Sequence, residues 1–437
     1  MNQNQTSGNV VVIGAGKMGL PLACELACNG ASVCAVDVNI ELVEKINAAE
    51  APFEEPQLQD KLSQAVASGK LRATTKLEEI LPKANVIIII VPVLLDKTKN
   101  AELSIIESVS REIAQGVQPG ALIVFETTLP VGTSRKLLAE IADSSGLVMG
   151  ESIHGAFSPE RVKSRHVFEN LAKVPKIVGG FSPQDADKAE EFYKEFLKSK
   201  VINLGSLEAA EMAKLADMVY RDVNIALANE LSRYCEAAGV DFFPVREAAN
   251  TSGEAHLLIP GIGVGGHCTP IYPYFLINHA QQLLMPQELA ETSRRVNDSQ
   301  AAHAVGRLKN HYGTLEGKRV LIMGLAFRPE IKEATASSAF LIAQALDQEK
   351  AIVLLHDPYF APDEMSTYGF QPAHSVEASQ CSILILNTAH AAYQSIDWSN
   401  LARQGVEVVM DGRNAIEEQT VQAAGIKYIG IGRKNSQ

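Results

Sequence analysis

The segment Asn9-Val10-Val11-Val12-Ile13-Gly14-Ala15-Gly16-Lys17-Met18-Gly19 sets the architecture of the first part of this chain. Its first five residues are mostly β-branched and apolar, which predicts a buried strand. Three glycines follow with GxGxxG spacing, and the pattern from Leu20 to Asn29 predicts a helix. A strand, a glycine turn and a helix in this order are typical of a dinucleotide site, in which pyrophosphate binds at the helix N-terminus.

A second predicted strand, Ser32 to Val36, ends at Asp37, about 20 residues after the turn. An acid at this position accepts hydrogen bonds from a ribose diol and repels a 2′-phosphate, so it favours NAD over NADP. The alternative, a glycine turn without a ligand, is disfavoured because strand, helix and acid agree. The predicted cofactor-binding residues of this segment are Gly14, Gly16, Lys17, Met18, Gly19 and Asp37.

Two further apolar runs predict strands buried on both faces of a parallel sheet: Asn85 to Val91, which Pro92 stops, and Ala121 to Phe125. Ligands of open parallel sheets bind beyond the carboxyl ends of the strands. Pro92 and Thr128 fall at such ends, so both are candidate cofactor contacts. Thr128 is equally compatible with a helix cap.

The middle of the chain is helical. No helix breaker occurs from Ser206 to Ala238, which predicts one long helix of the kind that joins domains or forms subunit interfaces. Further helices are predicted over Asp241 to Asn250 and Gln287 to His311. Strands then return, over Lys318 to Leu325, Ala351 to His356, Ser382 to Asn387 and Val406 to Asp411.

These elements predict an α/β fold: two Rossmann-like parallel-sheet domains joined by a long helix and a central all-helical domain. The second α/β region lacks a full dinucleotide fingerprint, which favours another nucleotide as its ligand. The expected segments are a flexible tail (1–8), an NAD-binding domain (9–203), a central helical domain for dimerisation and the active site (204–310), and a nucleotide-sugar-binding α/β domain (311–437).

The loop from Ile259 to Pro273, IPGIGVGGHCTPIYP, surrounds one cysteine with glycines and prolines. Glycines allow close backbone approach and positive φ, and prolines fix the directions of entry and exit. Cys268 on such a rigid turn is a candidate nucleophile. A small cysteine that merely fills space is the alternative.

Composition limits the possible partners and compartment. A formal net charge of −12 argues against a general nucleic-acid-binding protein, which needs clustered Lys and Arg. The six cysteines show no paired-ligand metal spacing, so no metal is expected, and Cys24 and Cys28 suit helix packing. With no signal-type start and no long apolar span, we expect a cytoplasmic protein that does not enter a membrane. The long helix favours a homodimer.

Three polar residues have two interpretations each. Glu160 follows Ser158-Pro159, which is also how an ordinary helix begins, so taken alone it is structural. Lys214 and Asn224 lie within the long predicted helix, where solvated polar side chains are commoner than catalytic ones.

Taken together, the motifs resemble those of the nucleotide-sugar 6-dehydrogenases, the family of UDP-glucose, GDP-mannose and UDP-N-acetylhexosamine dehydrogenases, over nearly the whole chain. The motifs are GAGKMGLPLA (14–23), ETTLPVGT (126–133), SPERV (158–162), KIVGG (176–180), RDVNIALANE (221–230), GVGGHC (263–268), GLAFRP (324–329) and DGRN (411–414). RDVNIALANE and GGHC look most like the branch that acts on UDP-N-acetylated sugars.

The resemblance implies that two NAD molecules in turn oxidise carbon 6 of a nucleotide-linked hexose to a uronic acid, as in polysaccharide biosynthesis. Cys268 then forms a thiohemiacetal and a thioester, Glu160 is the base, Lys214 the cation near the oxyanion, and Thr128 lies close to nicotinamide and substrate. It also implies substrate contacts at Glu160, Arg161, Val162, Lys214, Gly263, Gly265, Gly266, Phe327 and Arg328. Separately from the resemblance, the phenol of Tyr272 is a candidate for a proton relay, and Asn224 is a second candidate.

The chain departs from the family pattern at four positions. Met218 and Tyr272 replace a usual Asn and Asp, and Thr335 and Ser338 stand where Arg and Pro are common. A rearranged proton relay, an altered sugar and an impaired enzyme would each account for them; the first is preferred because Cys268 is present. The remaining alternatives are a two-electron 2-hydroxyacid-type dehydrogenase and a nucleotide-sugar-binding protein without catalysis.

Overall fold

The computed structural model describes residues 8–434, and the chain divides into two compact units. The first comprises Met1–Asp217 with Tyr274–Leu283, and the second Met218–Pro273 with Leu284–Gln437. Of the expected tail at 1–8, residues 1–7 lie outside the described residues. The carbonyl of Gly8 accepts a hydrogen bond of 3.1 Å from Ser32 N, which extends the pairing of the first strands.

The first unit is built on an eight-stranded sheet with the order β3-β2-β1-β4-β5-β6-β7-β8. All neighbours pair in parallel except β6 and β7, which are antiparallel. The strands are β1 (Asn9–Ile13), β2 (Ser32–Val36), β3 (Leu71–Thr74), β4 (Val86–Ile89), β5 (Leu122–Phe125), β6 (His154–Phe157), β7 (Lys176–Gly180) and β8 (Val201–Ser206).

The central strands explain the apolar runs of the sequence. Every residue of β4 and β5 is buried, since helices cover both faces of the sheet. The helices of this unit are α1 (Gly19–Cys28), α2 (Ile40–Asn47), α3 (Leu58–Ala67), α4 (Ser104–Gly116), α5 (Thr133–Ser145), α6 (Val167–Lys173) and α7 (Pro183–Phe196).

The long predicted helix is confirmed as α8 (Leu207–Ala238), which has 32 residues and contributes to both units. Within residues 8–434 no helix has the length and apolar character needed to cross a membrane. The other helices of the middle region are α9 (Phe242–Asn250), α10 (Tyr272–Gln282), α11 (Glu288–Asp298) and α12 (Gln300–Tyr312). The helical structure expected over Gln287 to His311 is formed by two of these helices, which meet at Ser299.

The second unit contains a six-stranded parallel sheet with the order β11-β10-β9-β12-β13-β14. Its strands are β9 (Arg319–Met323), β10 (Ile352–His356), β11 (Gln371–Pro372), β12 (Ile383–Leu386), β13 (Val408–Asp411) and β14 (Lys427–Gly430). Its helices after β9 are α13 (Ser338–Gln348), α14 (Pro362–Thr367), α15 (Trp398–Arg403) and α16 (Glu418–Ala423). In the first sheet β1 lies between β2 and β4, and in the second sheet β9 lies between β10 and β12. This strand order is the Rossmann-like arrangement.

Candidate functional site

The glycine turn after β1 has the geometry of a dinucleotide site. Gly14 has φ +99°, its N–H donates to Val36 O at 2.8 Å, and a Cβ there would lie 2.7 Å from Ile90 O. A Cβ on Gly19, the first residue of α1, would lie 1.8 Å from Gly14 O. The helix can therefore pack on the turn only because residue 19 has no side chain. Gly16 has open space around its missing side chain. That space is what a pyrophosphate needs.

Asp37 follows β2 and organises the same turn. Its Oδ2 accepts a hydrogen bond of 2.9 Å from Ala15 N, and its Oδ1 accepts one of 3.0 Å from Asn39 N. The side chain is only partly buried, so lone pairs of the carboxylate remain accessible at the sheet edge. The turn, the open space at Gly16 and this carboxylate fit NAD. Lys17 and Met18 are half-buried between the turn and α1.

The carboxyl ends of β4 and β5 meet beside the glycine turn. Pro92 is exposed there, and the Thr127 hydroxyl donates to Val91 O at 2.7 Å, which joins the two ends. Thr128 is 4% exposed. The helix-cap interpretation of Thr128 is wrong, because α5 begins at Thr133 and has Gly132 as its N-cap.

Glu160 lies in a loop, and the helix start expected at Ser158-Pro159-Glu160 is wrong: α6 begins only at Val167. The β6 strand continues into this loop because Ser158 N donates to Phe125 O at 2.8 Å, which extends the sheet pairing. The Glu160 carboxylate accepts a hydrogen bond from Val162 N. Arg161 donates through Nη1 to Pro175 O at 3.3 Å.

Lys214 reaches this loop from α8. It is 3% exposed, and its Nζ donates to the backbone oxygen of Glu160 at 2.5 Å. The backbone N–H of Glu160 donates in turn to Glu126 O at 3.2 Å, two residues before Thr128. The first unit therefore brings together three of the four predicted catalytic residues: Thr128, Glu160 and Lys214.

Glu211 was not predicted from the sequence. It is fully buried on α8, and its carboxylate accepts hydrogen bonds from Gly132 N at 2.6 Å and Ser134 N at 2.9 Å, at the start of α5. Burial raises its pKa from 4.5 to about 7. The sequence feature that could have identified Glu211 is its position one helical turn before Lys214, which places both side chains on one face of α8.

The fourth predicted catalytic residue, Cys268, belongs to the second unit. It is partly buried and lies just before α10, where its carbonyl accepts hydrogen bonds from Ile271 N (3.1 Å) and Tyr272 N (2.9 Å). The N-terminus of a helix carries partial positive charge and favours a thiolate. All six cysteines are free thiols.

The glycines before Cys268 are needed mainly for packing. Only Gly266 has positive φ, at +103°. Added Cβ atoms would lie 2.6 Å from Ser338 Cβ at Gly263, 2.7 Å from Phe327 Cβ at Gly265, and 2.9 Å from Phe327 Cε2 at Gly266. The loop therefore lies directly on the segment between β9 and α13. The explanation by close ligand approach alone was incomplete.

Arg413, which follows β13, also holds the loop. It donates through Nη1 to Gly263 O (3.1 Å), through Nε to Asn387 O (2.6 Å) and through Nη2 to Ser338 Oγ (3.1 Å). Burial lowers its pKa from 12.5 to about 10, so it stays charged at neutral pH. The sequence showed Arg413 within DGRN but gave no role for it.

Further contacts fix the two ends of the cysteine loop. Gly261 N donates to Asn229 Oδ1 at 3.0 Å, and Gly266 N donates to Thr335 O at 2.9 Å. The His267 ring contacts the Glu333 carboxylate. Phe327 is half-buried below the loop, and the next residue, Arg328, is also half-buried.

Two of the unusual residues have structural roles. The Ser338 hydroxyl donates to Asn387 Oδ1 at 2.6 Å while it accepts from Arg413, which a proline could not do. Thr335 acts through its backbone oxygen. Met218 is half-buried on α8, and the Asn224 side chain donates to Tyr220 O of its own helix at 2.8 Å.

Among residues 8–434 no cluster of His, Cys, Asp or Glu could hold a metal ion.

Comparison with known proteins gives three consecutive family matches. They are the NAD binding domain (8–197), the central domain (208–299) and the UDP binding domain (321–418) of the UDP-glucose/GDP-mannose dehydrogenase family. The chain is 32% identical over 432 residues to a UDP-N-acetyl-D-mannosamine dehydrogenase of Pyrococcus horikoshii, covering 97% of this chain and 99% of that protein. It is 32% identical over 413 residues to an NDP-N-acetyl-D-galactosaminuronic acid dehydrogenase of Ralstonia solanacearum, covering 92% and 95%.

A solved structure of the UDP-D-ManNAc dehydrogenase from Pyrococcus horikoshii superposes with a TM-score of 0.89 at 31% identity, covering 98% of this chain and all of that one. The fold and the first-unit site thus define an NAD-dependent oxidoreductase. The chain belongs to the UDP-glucose/GDP-mannose dehydrogenase family. The expected fold class, cofactor and enzyme class are confirmed, and the substrate is a nucleotide sugar.

Proposed function

We propose that the protein oxidises carbon 6 of a UDP-linked, N-acetylated hexose to the uronic acid through a covalent intermediate on Cys268. The observation that carries this proposal is the placement of Cys268 on a rigid loop at the N-terminus of α10. The names of the relatives, which act on N-acetylated nucleotide sugars, support the choice of substrate.

The first oxidation removes one hydride from carbon 6 and gives an aldehyde. The chemistry then requires a nucleophile, because the aldehyde cannot release its remaining hydrogen as hydride until something adds to its carbonyl. The Cys268 sulfur forms a bond to carbon 6, the carbonyl oxygen takes a proton, and a thiohemiacetal results. Loss of hydride and of the hydroxyl proton gives a thioester. Water then adds, the carbon–sulfur bond breaks, and carboxylate and thiol are released. Bound NAD supplies the hydride acceptor for both oxidations.

In this proposal Lys214 holds positive charge next to the developing oxyanion, and Glu160 removes a proton from the attacking water. The hydrogen bond between Lys214 Nζ and Glu160 O supports a shared site for the two residues. Thr128 orients nicotinamide and substrate. Tyr272, the first residue of α10, is a candidate relay, whereas the amide of Asn224 is hydrogen-bonded to its own helix.

Substrate contacts are proposed at Arg161, Val162, Gly263, Gly265, Gly266, Phe327 and Arg328, with the nucleotide bound by the segment 311–437. The proposed NAD-binding and central segments are 9–203 and 204–310. The match of a UDP binding domain to residues 321–418 supports uridine as the base.

We further propose a homodimer in the cytoplasm. Exposed apolar residues recur every seven positions along α8: Tyr220 (60% exposed), Leu227 (42%) and Tyr234 (72%). A stripe at this spacing suits packing against a second helix. The free cysteines support a reducing compartment. Light scattering should give twice the chain mass for the native protein and the single-chain mass for Leu227→Lys/Tyr234→Lys.

The proposed activity is tested by incubating the purified protein with NAD and a panel of UDP-, TDP- and GDP-sugars. We expect two NADH per sugar with a UDP-N-acetylhexosamine and a uronic acid as product. UDP-glucose is the matched comparison for the N-acetyl group. Absence of NADH with every sugar would contradict the proposal.

A further inference from the structure

A buried ionic cluster lies below the candidate site in the first unit. It consists of Glu126 (1% exposed), Lys176 (7%) and Tyr193 (0%), and we call it the Glu126 cluster. Lys176 Nζ lies 2.6 Å from Glu126 Oε2, and the Tyr193 hydroxyl donates to Glu126 Oε1 at 2.5 Å. Burial raises the pKa of Tyr193 well above its ordinary value, so this hydroxyl remains a donor. The proposed chemistry uses none of these side chains.

Stability alone does not explain the cluster. Removing a lysine and a glutamate from water costs several kcal/mol each, and a well-packed apolar pair often serves stability equally well. Tyr193 also lies next to Phe192 and Phe196 in an apolar environment, where apolar replacements would pack. We therefore expect the cluster to have a role in positioning the backbone around it.

The backbone around Glu126 joins the two loops of the site. Thr127 and Thr128 follow Glu126 directly, while Glu126 O accepts the hydrogen bond from Glu160 N at 3.2 Å. Displacement of Glu126 would therefore disturb both the Thr128 loop and its hydrogen bond to the Glu160 loop.

The segment 175–177, where β7 begins, contacts both the Glu160 loop and Glu126. Pro175 O accepts from Arg161, Lys176 pairs with Glu126, and Ile177 O accepts the Ser158 hydroxyl proton at 2.7 Å. Pro175 and Ile177 thus hold the Glu160 loop on both sides of Glu160, and Lys176 between them pairs with Glu126.

Packing under this loop is incomplete. A cavity of about 20 Å³, the size of a single water site, is lined by Glu126, Glu160, Lys176 and Ser199 among others. The Ser199 hydroxyl is buried and has no hydrogen-bond partner. Because packing leaves this space under the loop, the polar contacts of the loop contribute to its position.

We propose that Lys176, through its ion pair with Glu126, is a positioning residue that sets the spacing between the Thr128 loop and the Glu160 loop. This inference rests on the proposed function for its kinetic consequences. It requires no contact between Lys176 and substrate or cofactor.

The test variant is Glu126→Met/Lys176→Met, which removes both charges and leaves no unpaired ion in the interior. The matched control is Glu25→Met/Lys61→Met, because that pair has the same 2.6 Å separation in the same unit and joins α1 to α3. Tyr193→Phe removes one hydrogen bond to Glu126 and keeps the proposal testable if the double variant does not fold.

Hydrogen exchange of segments 126–133 and 158–166 gives a readout that needs no turnover. We expect exchange in both segments to rise at least 10-fold in the test variant and to stay at the native level in the control. On a sugar that the native enzyme oxidises, kcat should fall about 100-fold with KM changed less than threefold, as for a loop displaced by about 1 Å. Tyr193→Phe should show the same pattern at about 10-fold.

Unchanged exchange in both segments, or a kcat within twofold of native in a folded test variant, would overturn the proposal. If the native protein oxidises no sugar, the proposed function fails, while the exchange measurement still decides the positioning role.

Discussion

The first turns of the two sheets are alike in backbone and different in use. Gly14 and Gly324 both have strongly positive φ, +99° and +102°, and each donates its N–H to the last residue of the neighbouring strand, Val36 O at 2.8 Å and His356 O at 2.7 Å. An aspartate follows each neighbouring strand: Asp37 in the first unit and Asp357 in the second.

The surroundings of the two aspartates differ. Asp37 is partly accessible and faces a turn that leads at once into α1. Asp357 is 2% exposed, and its Oδ2 accepts from Leu325 N (2.7 Å), Ala326 N (2.9 Å) and His390 Nε2 (3.2 Å). No helix follows Gly324 until α13 at Ser338, and the intervening segment packs under the Cys268 loop. The same topology thus provides a cofactor site in one unit and a support for the Cys268 loop in the other.

Alanine at the two turn glycines should have the largest effects. Positive φ and a Cβ at 2.7 Å from Ile90 O in Gly14→Ala, or at 2.4 Å from Thr388 Cβ in Gly324→Ala, should each cost about 3 kcal/mol of stability. Denaturant unfolding measures this cost. In folded samples only Gly14→Ala should weaken NAD binding, measured by calorimetry. Equal loss of NAD affinity in both variants would remove the proposed difference.

Substitution of each aspartate should separate an effect on stability from an effect on cofactor binding. Asp357→Asn leaves buried donors poorly matched and should lose about 2–3 kcal/mol of unfolding free energy with NAD affinity unchanged. Asp37→Asn should lose less than about 1 kcal/mol, because Asn still accepts from backbone, while NAD affinity falls about 10-fold or more. The reverse assignment of these losses would contradict the account.

Buried carboxylates of the two units should respond oppositely to pH. Burial raises the pKa of Glu211 to about 7, so its contribution to stability is largest below pH 4.5 and is lost as pH rises through 7. For Asp357, burial acts to raise the pKa, but hydrogen bonds from His390 and Ala326 N outweigh it, so the pKa is lowered. Its contribution is present above the ordinary pKa of 3.8 and lost as the solution becomes more acidic.

Unfolding curves from pH 8 to pH 5 should therefore show a gain of up to about 3 kcal/mol from Glu211. In Glu211→Gln this gain should be missing, while Asp357→Asn should retain it. A native-like pH dependence in Glu211→Gln would show that another group titrates.

Smaller effects are expected where one contact to the cysteine loop is removed. Arg413→Lys keeps the charge but loses the geometry of three hydrogen bonds, so the Cys268 loop should loosen. Alkylation of Cys268 by iodoacetamide, followed by peptide mass spectrometry, should accelerate severalfold with NAD affinity unchanged. Gly16→Ala is the counterpart in the first unit, since free space surrounds Gly16. It should leave stability unchanged and weaken NAD binding only.

The sequence predicted what depends on local pattern. Strands such as β1 and β4 and the long helix α8 were found because their apolar residues are buried continuously or with helical period. The glycine turn was found because its backbone conformation demands glycine, and Asp37 was found because an acid after the second strand is placed to bind a ribose diol. The loop of glycines and prolines identified Cys268 as a candidate nucleophile, and the resemblance supplied the roles of Lys214 and Glu160.

Contacts between residues distant in the chain were not predictable. The Glu126 cluster joins positions 50 and 67 residues apart, and Glu211 contacts the start of α5 across 77 and 79 residues. Lys176 is the first residue of an apolar strand, a position at which a lysine is usually exposed to solvent. Its buried role is evident only once its partner is known. The role of the loop glycines likewise depended on what lies beneath them, which no local pattern specifies.

The number of NADH molecules formed per sugar by Cys268→Ala tests the central claim most directly. The native enzyme should form two NADH and a uronic acid. The variant should form at most one, and hydroxylamine should trap an aldehyde. Two NADH per sugar at the native rate from Cys268→Ala would contradict covalent catalysis at Cys268.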